Sequence, residues 1–128
     1  MQTILVVDDS PTIRRMVRAA LGALTEVTFV EAGSGLHAIE VLGLQPVHLV
    51  VLDLNMPDMH GLDVIRFLRT HTQYRTLPVM VLTTRGDDTS REAAMGAGAS
   101  TYLTKPFAPS SLVAAAKALL EAHVPRGM

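Results

Sequence analysis

Apolar residues in this chain gather into short continuous runs, separated by longer stretches in which they recur every three or four positions. The runs are Thr3–Val7, Val27–Glu31, His48–Leu54, Pro78–Thr83 and Ser100–Thr104. Three contain ILVV, LVVL and VMVL, apolar without alternation, the pattern of strands covered on both faces of a parallel sheet. The intervening stretches read as helices. The first opens at Ser10-Pro11, an N-cap followed by proline at the first helical position. Ile13, Met16, Val17, Ala20, Leu21 and Leu24 follow on one side, with Arg14, Arg15 and Arg18 on the other. Further helices are expected over Gly35–Leu44, Leu62–Thr70 and Thr89–Met95, the last ending in MGAG, a run able to supply a C-cap. The final helix is expected from Pro109 to a stop at Pro125.

Strand followed by helix, five times over, predicts an α/β sandwich around a parallel sheet, because short right-handed crossovers return the chain to the same sheet. No composition shift divides the chain, so residues 1–128 are expected to form one domain with no output domain attached. Composition narrows the class. The residues are 48 % hydrophobic without low-complexity tracts, which argues against disorder. A net charge of −1 gives no basic surplus, so neither nucleic acid nor a membrane is an expected partner. Without cysteine there is no disulfide framework and no thiolate metal site. The opening apolar run meets two acids too soon for a membrane span and lacks the basic start of a signal peptide. A cytoplasmic location is therefore expected.

In a parallel sheet the carboxyl ends of the strands share one edge, where ligands bind. Asp8 and Asp9 follow the first run, Asp53 lies at the end of the third, Thr83 and Thr84 close the fourth, and Lys105 follows the fifth. Each has an ordinary explanation taken singly: acids near a helix start favour the helix dipole, aspartate forms turns, and threonine suits strand ends. Their coincidence at corresponding strand ends has none. Carboxylates about 4 Å apart repel by roughly 4 kcal/mol per pair at an effective dielectric near 20. Such a cluster persists by binding a cation or by keeping one member protonated. Oxygen-only ligands on an open edge suit Mg²⁺. Lysine occurs only at 105 and 117, so Lys105 is a compact ammonium in a chain that otherwise uses arginine.

Acids, Mg²⁺, a lysine and a hydroxyl together describe phosphoryl chemistry. The chain has neither GxxxxGK[ST] nor GxGxxG, and Gly33-Ser34-Gly35 reads as a turn. The phosphoryl donor is then not expected to be a nucleotide bound here, and a carboxylate is a candidate acceptor.

These residues resemble the receiver domain of two-component response regulators, of the CheY-like kind. The resemblance rests on Asp8-Asp9, Asp53 in LDLNMP, Gly61, Thr83 in VLTT, Tyr102 and Lys105-Pro106-Phe107, an ordered set across essentially the whole chain. The start DDSPTIRRMVRAAL looks like that of stand-alone chemotaxis regulators. The resemblance implies a flavodoxin-like (βα)5 sandwich with strand order 2-1-3-4-5. It implies Asp53 as phosphoacceptor, taking the group from a phosphohistidine on a sensor histidine kinase or phosphotransfer protein. Mg²⁺ would be held by Asp9 directly, Asp8 largely through water, Asp53, and the backbone carbonyl of Asn55. Lys105 would pair with the phosphoryl group, and Thr83 would move to bond it. Tyr102 would then turn inward, altering the surface of the fourth helix, fifth strand and fifth helix toward a downstream target protein. Without phosphate, Thr83 and Tyr102 are expected in the inactive arrangement. A monomer is implied, with a phosphatase as a further partner, and Lys105-Pro106 fits the family's cis-proline turn.

Asn55 and Arg85, each two residues past a site position, depart from the commonest pattern and border the phosphoryl site. His48 and His60 replace residues that are often acidic or small and polar; they read as solvated loop or strand-edge histidines, not as ligands of a hard oxygen site. Two other functions compete. A receiver-like module could bind partners without being phosphorylated, against which stand intact Asp9, Asp53, Thr83 and Lys105. A small Mg²⁺-dependent aspartyl phosphatase resembling the haloacid dehalogenase type would carry a second acid two residues after the nucleophile, where this chain has Asn55.

Overall fold

The computed structural model describes residues 1–122. The elements alternate as expected: β1 (Gln2–Val7), α1 (Pro11–Leu21), β2 (Val27–Ala32), α2 (Gly35–Leu44), β3 (Leu49–Leu52), α3 (Gly61–Thr70), β4 (Val79–Thr83), α4 (Asp88–Ala97), β5 (Thr101–Thr104) and α5 (Pro109–Ala122). A single 3₁₀ turn, Thr72–Tyr74, lies between α3 and β4. The five strands are parallel and ordered β2-β1-β3-β4-β5, the flavodoxin-like arrangement.

The uninterrupted apolar strands are explained by two cores, one on each sheet face. Leu5, Val7, Val50, Leu52, Val79 and Val81 point to the side covered by α2, α3 and α4, where Leu42, Val64, Ile65 and Leu68 meet them. Ile4, Val6, Leu49, Val51, Met80 and Leu82 point to the other, against Val17 and Leu21 of α1 and Leu112, Ala116 and Leu120 of α5. Alternate residues thus face opposite layers, and both sets must be apolar. Register aligns the strand ends: Val7 pairs with Ala32 on one side and Leu52 on the other, and Thr83 pairs with Thr104.

Some boundaries differ from the sequence expectation. α1 stops at Leu21, with Gly22 as its cap, although Leu24 still packs against the core. Met16 is 50 % exposed, because Ile13, Val17, Ala20 and Leu21 complete the buried stripe without it. β3 ends at Leu52, so Asp53 lies one residue past the ladder, yet its N–H still donates to the Val7 carbonyl at 3.0 Å. α4 begins earlier than expected because Asp87 caps it, accepting the Ser90 N–H at 2.9 Å. It ends on Gly98 at φ 119°, the left-handed cap that the MGAG run supplies. The expected stop of α5 at Pro125 lies outside the described residues. Among the described residues no helix is long and apolar enough to cross a membrane.

Gly61 fixes how closely α3 approaches the end of β3. A Cβ there would lie 2.6 Å from the Asp53 carbonyl oxygen and 2.7 Å from the Leu54 Cα, both backbone atoms. Gly61→Ala is therefore expected to destabilise the fold by about 1–3 kcal/mol through overpacking. Gly43→Ala, at a helical position with nothing within 4 Å, should be neutral or stabilising. Urea unfolding of the two variants beside wild type measures the difference, and equal midpoints would contradict the packing argument.

Candidate functional site

The loop after β1 and the end of β3 bring three carboxylates together. Asp8, Asp9 and Asp53 each offer an oxygen within 4.8 Å of the others. Asp8 and Asp53 are buried, while Asp9 is exposed at the mouth. From the loop after β5, Lys105 reaches into the same cluster, its Nζ 2.7 Å from Asp8 Oδ2 and 3.7 Å from Asp53 Oδ2. The Lys105–Pro106 peptide is cis. Thr83 is fully buried at the end of β4, its hydroxyl facing Asp53 and its oxygen accepting the Arg85 N–H at 3.4 Å. A larger depression of about 570 Å³, lined by residues including Gln2, Glu26, His48 and Lys117, contains none of these acids.

The charges are not balanced. One ammonium faces three carboxylates. Burial raises the pKa of Asp53 above the usual carboxylate value; Asp8 adds to this, while Lys105, the Asn55 N–H and the Thr83 hydroxyl oppose it. Asp8 has both oxygens engaged, Oδ1 accepting the Ser10 N–H at 2.9 Å and Oδ2 the Lys105 ammonium. Asp9 appears in none of the side-chain hydrogen bonds that hold Asp8. Oxygen donors only, with one carboxylate open to solvent, fit a hard divalent cation such as Mg²⁺, for which Asp8, Asp9 and Asp53 are the ligand set at hand.

Asp8, Asp9, Asp53, Thr83 and Lys105 are thus gathered at one edge as the sequence suggested. Asn55 lies in the exposed turn just beyond Asp53 and presents its N–H to that carboxylate. Tyr102 stands apart from the acids. It is only 4 % exposed, and its hydroxyl donates to the Arg85 carbonyl, with the Arg91 guanidinium 4.7 Å above its ring. The ring is therefore turned inward, the position that the resemblance ties to the switched arrangement. Burial, reinforced by the nearby Asp87 charge, raises its pKa and keeps it a hydrogen-bond donor. His48 is half-buried and accepts the Thr3 N–H on Nδ1 at 2.9 Å; His60 caps α3, accepting the Leu62 N–H at 3.1 Å.

Sequence reasoning missed the residues that hold the site's loops. Asp58 accepts the Gly35 and Leu36 N–H groups at 3.2 and 3.1 Å, tying the turn after Asp53 to the start of α2. Arg14 donates to the Asp8 carbonyl at 2.6 Å and to Glu31 at 2.8 Å. The Arg14 hydrogen bond also lowers the pKa of the Glu31 carboxyl below its usual value, the largest of several causes. The available signal was weak: a lone aspartate in a turn and an arginine on a polar helix face are ordinary.

A five-stranded parallel sheet with clustered acids and one lysine at its carboxyl edge defines the signalling receiver class. The chain belongs to the response regulator receiver domain family, whose pattern matches residues 4–117. It is 36 % identical over 110 residues to chemotaxis protein CheY1 of Helicobacter pylori, covering 85 % of this chain and 89 % of that protein. The receiver domain of a signal transduction histidine kinase from Syntrophus aciditrophicus superposes with a TM-score of 0.89 at 30 % identity, covering 100 % of this chain and 96 % of that one. The Mn²⁺-bound form of response regulator Rcp1 superposes with a TM-score of 0.78 at 28 % identity, covering 94 % and 91 %. The chain is thus a CheY-like receiver of two-component signalling.

Because the Asp53 pKa is raised on folding, its ionisation opposes the folded state. The favourable contribution is complete below the ordinary carboxylate value and is lost as pH rises through the raised one. Asp53→Asn is expected to raise the melting temperature of the metal-free protein by several degrees at neutral pH. That advantage should shrink as pH falls and wild-type Asp53 becomes protonated. Melts in chelator across this range check the sign, and an unaltered or lower melting temperature at neutral pH would contradict it.

Proposed function

We propose that this receiver is a phospho-accepting switch in which Asp53 takes a phosphoryl group from a phosphohistidine of a sensor histidine kinase or phosphotransfer protein. The observation that carries the reading is the juxtaposition at one open edge of Asp53, two further carboxylates, a buried hydroxyl and a lysine within 3.7 Å of Asp53. An Asp53 carboxylate oxygen forms the new bond to phosphorus as the P–N bond breaks, and the imidazole leaves with that electron pair. The product is an aspartyl phosphate.

Mg²⁺, held by Asp9 and Asp53 with Asp8 acting through water and the Asn55 carbonyl completing the protein ligands, would neutralise charge on the transferring group. Rcp1 in its Mn²⁺-bound form shows that a related receiver accepts a divalent cation. Lys105 supplies the remaining positive charge. It leaves Asp8 for the phosphoryl oxygens, a point-charge role that suits an ammonium. Thr83 turns its hydroxyl from the Arg85 N–H to the phosphoryl group, and Tyr102 then holds the β4–α4 loop through the Arg85 carbonyl. The altered surface is that of α4, β5 and α5, which a downstream target protein reads. The protein acts as a monomer and assists its own phosphorylation and dephosphorylation, with a phosphatase as a further partner. It is not classed as an enzyme. Its CheY1 relative makes chemotaxis the favoured pathway, and the cytoplasm the favoured site of action.

Incubation with acetyl phosphate and Mg²⁺ followed by intact-mass measurement tests this. Wild type should gain one phosphoryl group and Asp53→Asn none; a wild type that gains no mass and binds no Mg²⁺ sinks the proposal. Lys105→Ala removes an ammonium 2.7 Å from Asp8, so it should bind Mg²⁺ at least as tightly while forming the adduct more slowly. Weaker Mg²⁺ binding in that variant, read by calorimetric titration, would reverse the role given to Lys105.

A further inference from the structure

We infer that Arg14 is a positioning residue of the acidic edge, strapping the β1–α1 loop to β2 so that Asp8 and Asp9 are presented in place. The inference rests on reading that edge as a Mg²⁺ site.

Arg14 lies in α1 but turns back toward the strands, with its side chain 18 % exposed. Nη1 donates to the Asp8 carbonyl at 2.6 Å, six residues upstream, and Nε donates to Glu31 Oε1 at 2.8 Å. Glu31 stands on β2 beside Val6 and is itself anchored, its second oxygen taking the Arg18 Nη1 at 2.6 Å. One guanidinium therefore joins the loop that carries two acids to the neighbouring strand. The other restraints on Asp8 come from the backbone and from the site: Asp8 N–H to the Ala32 carbonyl at 3.1 Å, the Ser10 N–H to Oδ1, and Lys105 to Oδ2. The last is the one that phosphoryl binding calls away. Once Lys105 departs, Arg14 is the remaining side-chain restraint on Asp8 among these contacts.

Preorganisation gives the strap its consequence. Mutual repulsion drives the carboxylates apart whenever their backbone is free to move. A loop that must be drawn back at each binding event loses affinity, and a loop held ready does not. Two parallel donors are needed, one for Glu31 and one for the carbonyl. A lysine keeps the charge but lacks that fork.

Field and geometry make opposite predictions. Removing a positive charge near a cation site should tighten cation binding if only the field matters. The strap requires weaker binding. We expect Arg14→Ala and the charge-preserving Arg14→Lys each to weaken Mg²⁺ affinity by about 10-fold, the size typical of lost outer supports. The Ser10 amide, bonded to Asp8 Oδ1, should exchange its hydrogen faster in both variants without metal. Glu31→Gln should act in the same direction by less, and Arg18→Ala, which leaves the Asp8 carbonyl bonded, should change either readout by no more than about twofold. Thermal melts establish that each variant is folded, and Arg14→Lys carries the test if Arg14→Ala is not. Tighter or equal Mg²⁺ binding in Arg14→Lys, with Ser10 exchange unchanged, overturns the strap. If wild type itself binds no Mg²⁺ and gains no phosphoryl group, the proposed function falls, whereas Ser10 exchange in Arg14→Lys still decides the strap, faster upholding it and unchanged overturning it.

Discussion

The contact between the Lys105 ammonium and the Asp8 carboxylate, at 2.7 Å, is the interaction on which the arrangement of the edge depends. Parallel strands with aligned registers deliver Asp8 and Asp53 to one place, each one residue past its strand and tied back by its N–H, with Asp9 in the loop beyond. Each pair of carboxylates at such separations opposes the others by a few kcal/mol. A single partly buried ammonium offsets part of that repulsion and leaves the cluster short of positive charge. The deficit is what makes the edge receptive to a cation. On the proposed function, Lys105 and a metal ion both offset the charge of this cluster, and Lys105 leaves Asp8 when the phosphoryl group arrives.

From this edge a continuous path of polar contacts leads to the α4–β5 surface. The Thr83 hydroxyl accepts the Arg85 N–H, the Arg85 carbonyl accepts the Tyr102 hydroxyl, and the Arg85 side chain donates to Ser90 on α4 at 3.2 Å. Residue 85 therefore touches the site through its amide and the surface through its carbonyl and side chain. On the proposed function, a rotation of Thr83 toward a phosphoryl oxygen frees one end of this residue while Tyr102 holds the other. The inward Tyr102 gives the movement a fixed point. Arg91 over the ring adds a cation–π contact, so the inward position does not depend on the Arg85 hydrogen bond alone.

Much of this was legible in the sequence, for a physical reason. Continuous apolar runs such as LVVL occur where both strand faces are covered, and the acids stood out because they interrupted those runs. Once the sheet was read as parallel, its carboxyl edge followed, and Asp8, Asp9, Asp53, Thr83 and Lys105 fell on it. What escaped were contacts that no local pattern marks. Arg14 looked like a solvent-facing helix residue, yet its guanidinium folds back over six residues to the Asp8 carbonyl. Asp58 carries no local signal of its role, yet it binds the N-terminus of α2, twenty-two residues away in sequence at Leu36. The inward Tyr102 escaped too, since the rotamer of a strand-end aromatic depends on which carbonyl and cation lie next to it.

The two missed supports share a logic. Both hold a loop that carries a site residue to an element that does not: Arg14 ties the Asp8 loop to β2, and Asp58 ties the Asp53 turn to α2. The sheet fixes where the strands end, but the acids of the first loop lie just beyond the ladder, where the Asp8 N–H keeps one bond to the Ala32 carbonyl and Asp9 lies past it. There, repulsion among like charges would favour an open loop. Side-chain anchors on the flanking layers supply the restraint that the ladder stops providing. By contrast, Thr84–Asp87 of the β4–α4 loop are all exposed, and the loop is held at Arg85 by Tyr102 and Ser90 and on the site side by the 3.4 Å Thr83–Arg85 contact. The loops that present charge are anchored to flanking layers, whereas the loop after β4 is anchored at Arg85 to the site on one side and to α4 and β5 on the other.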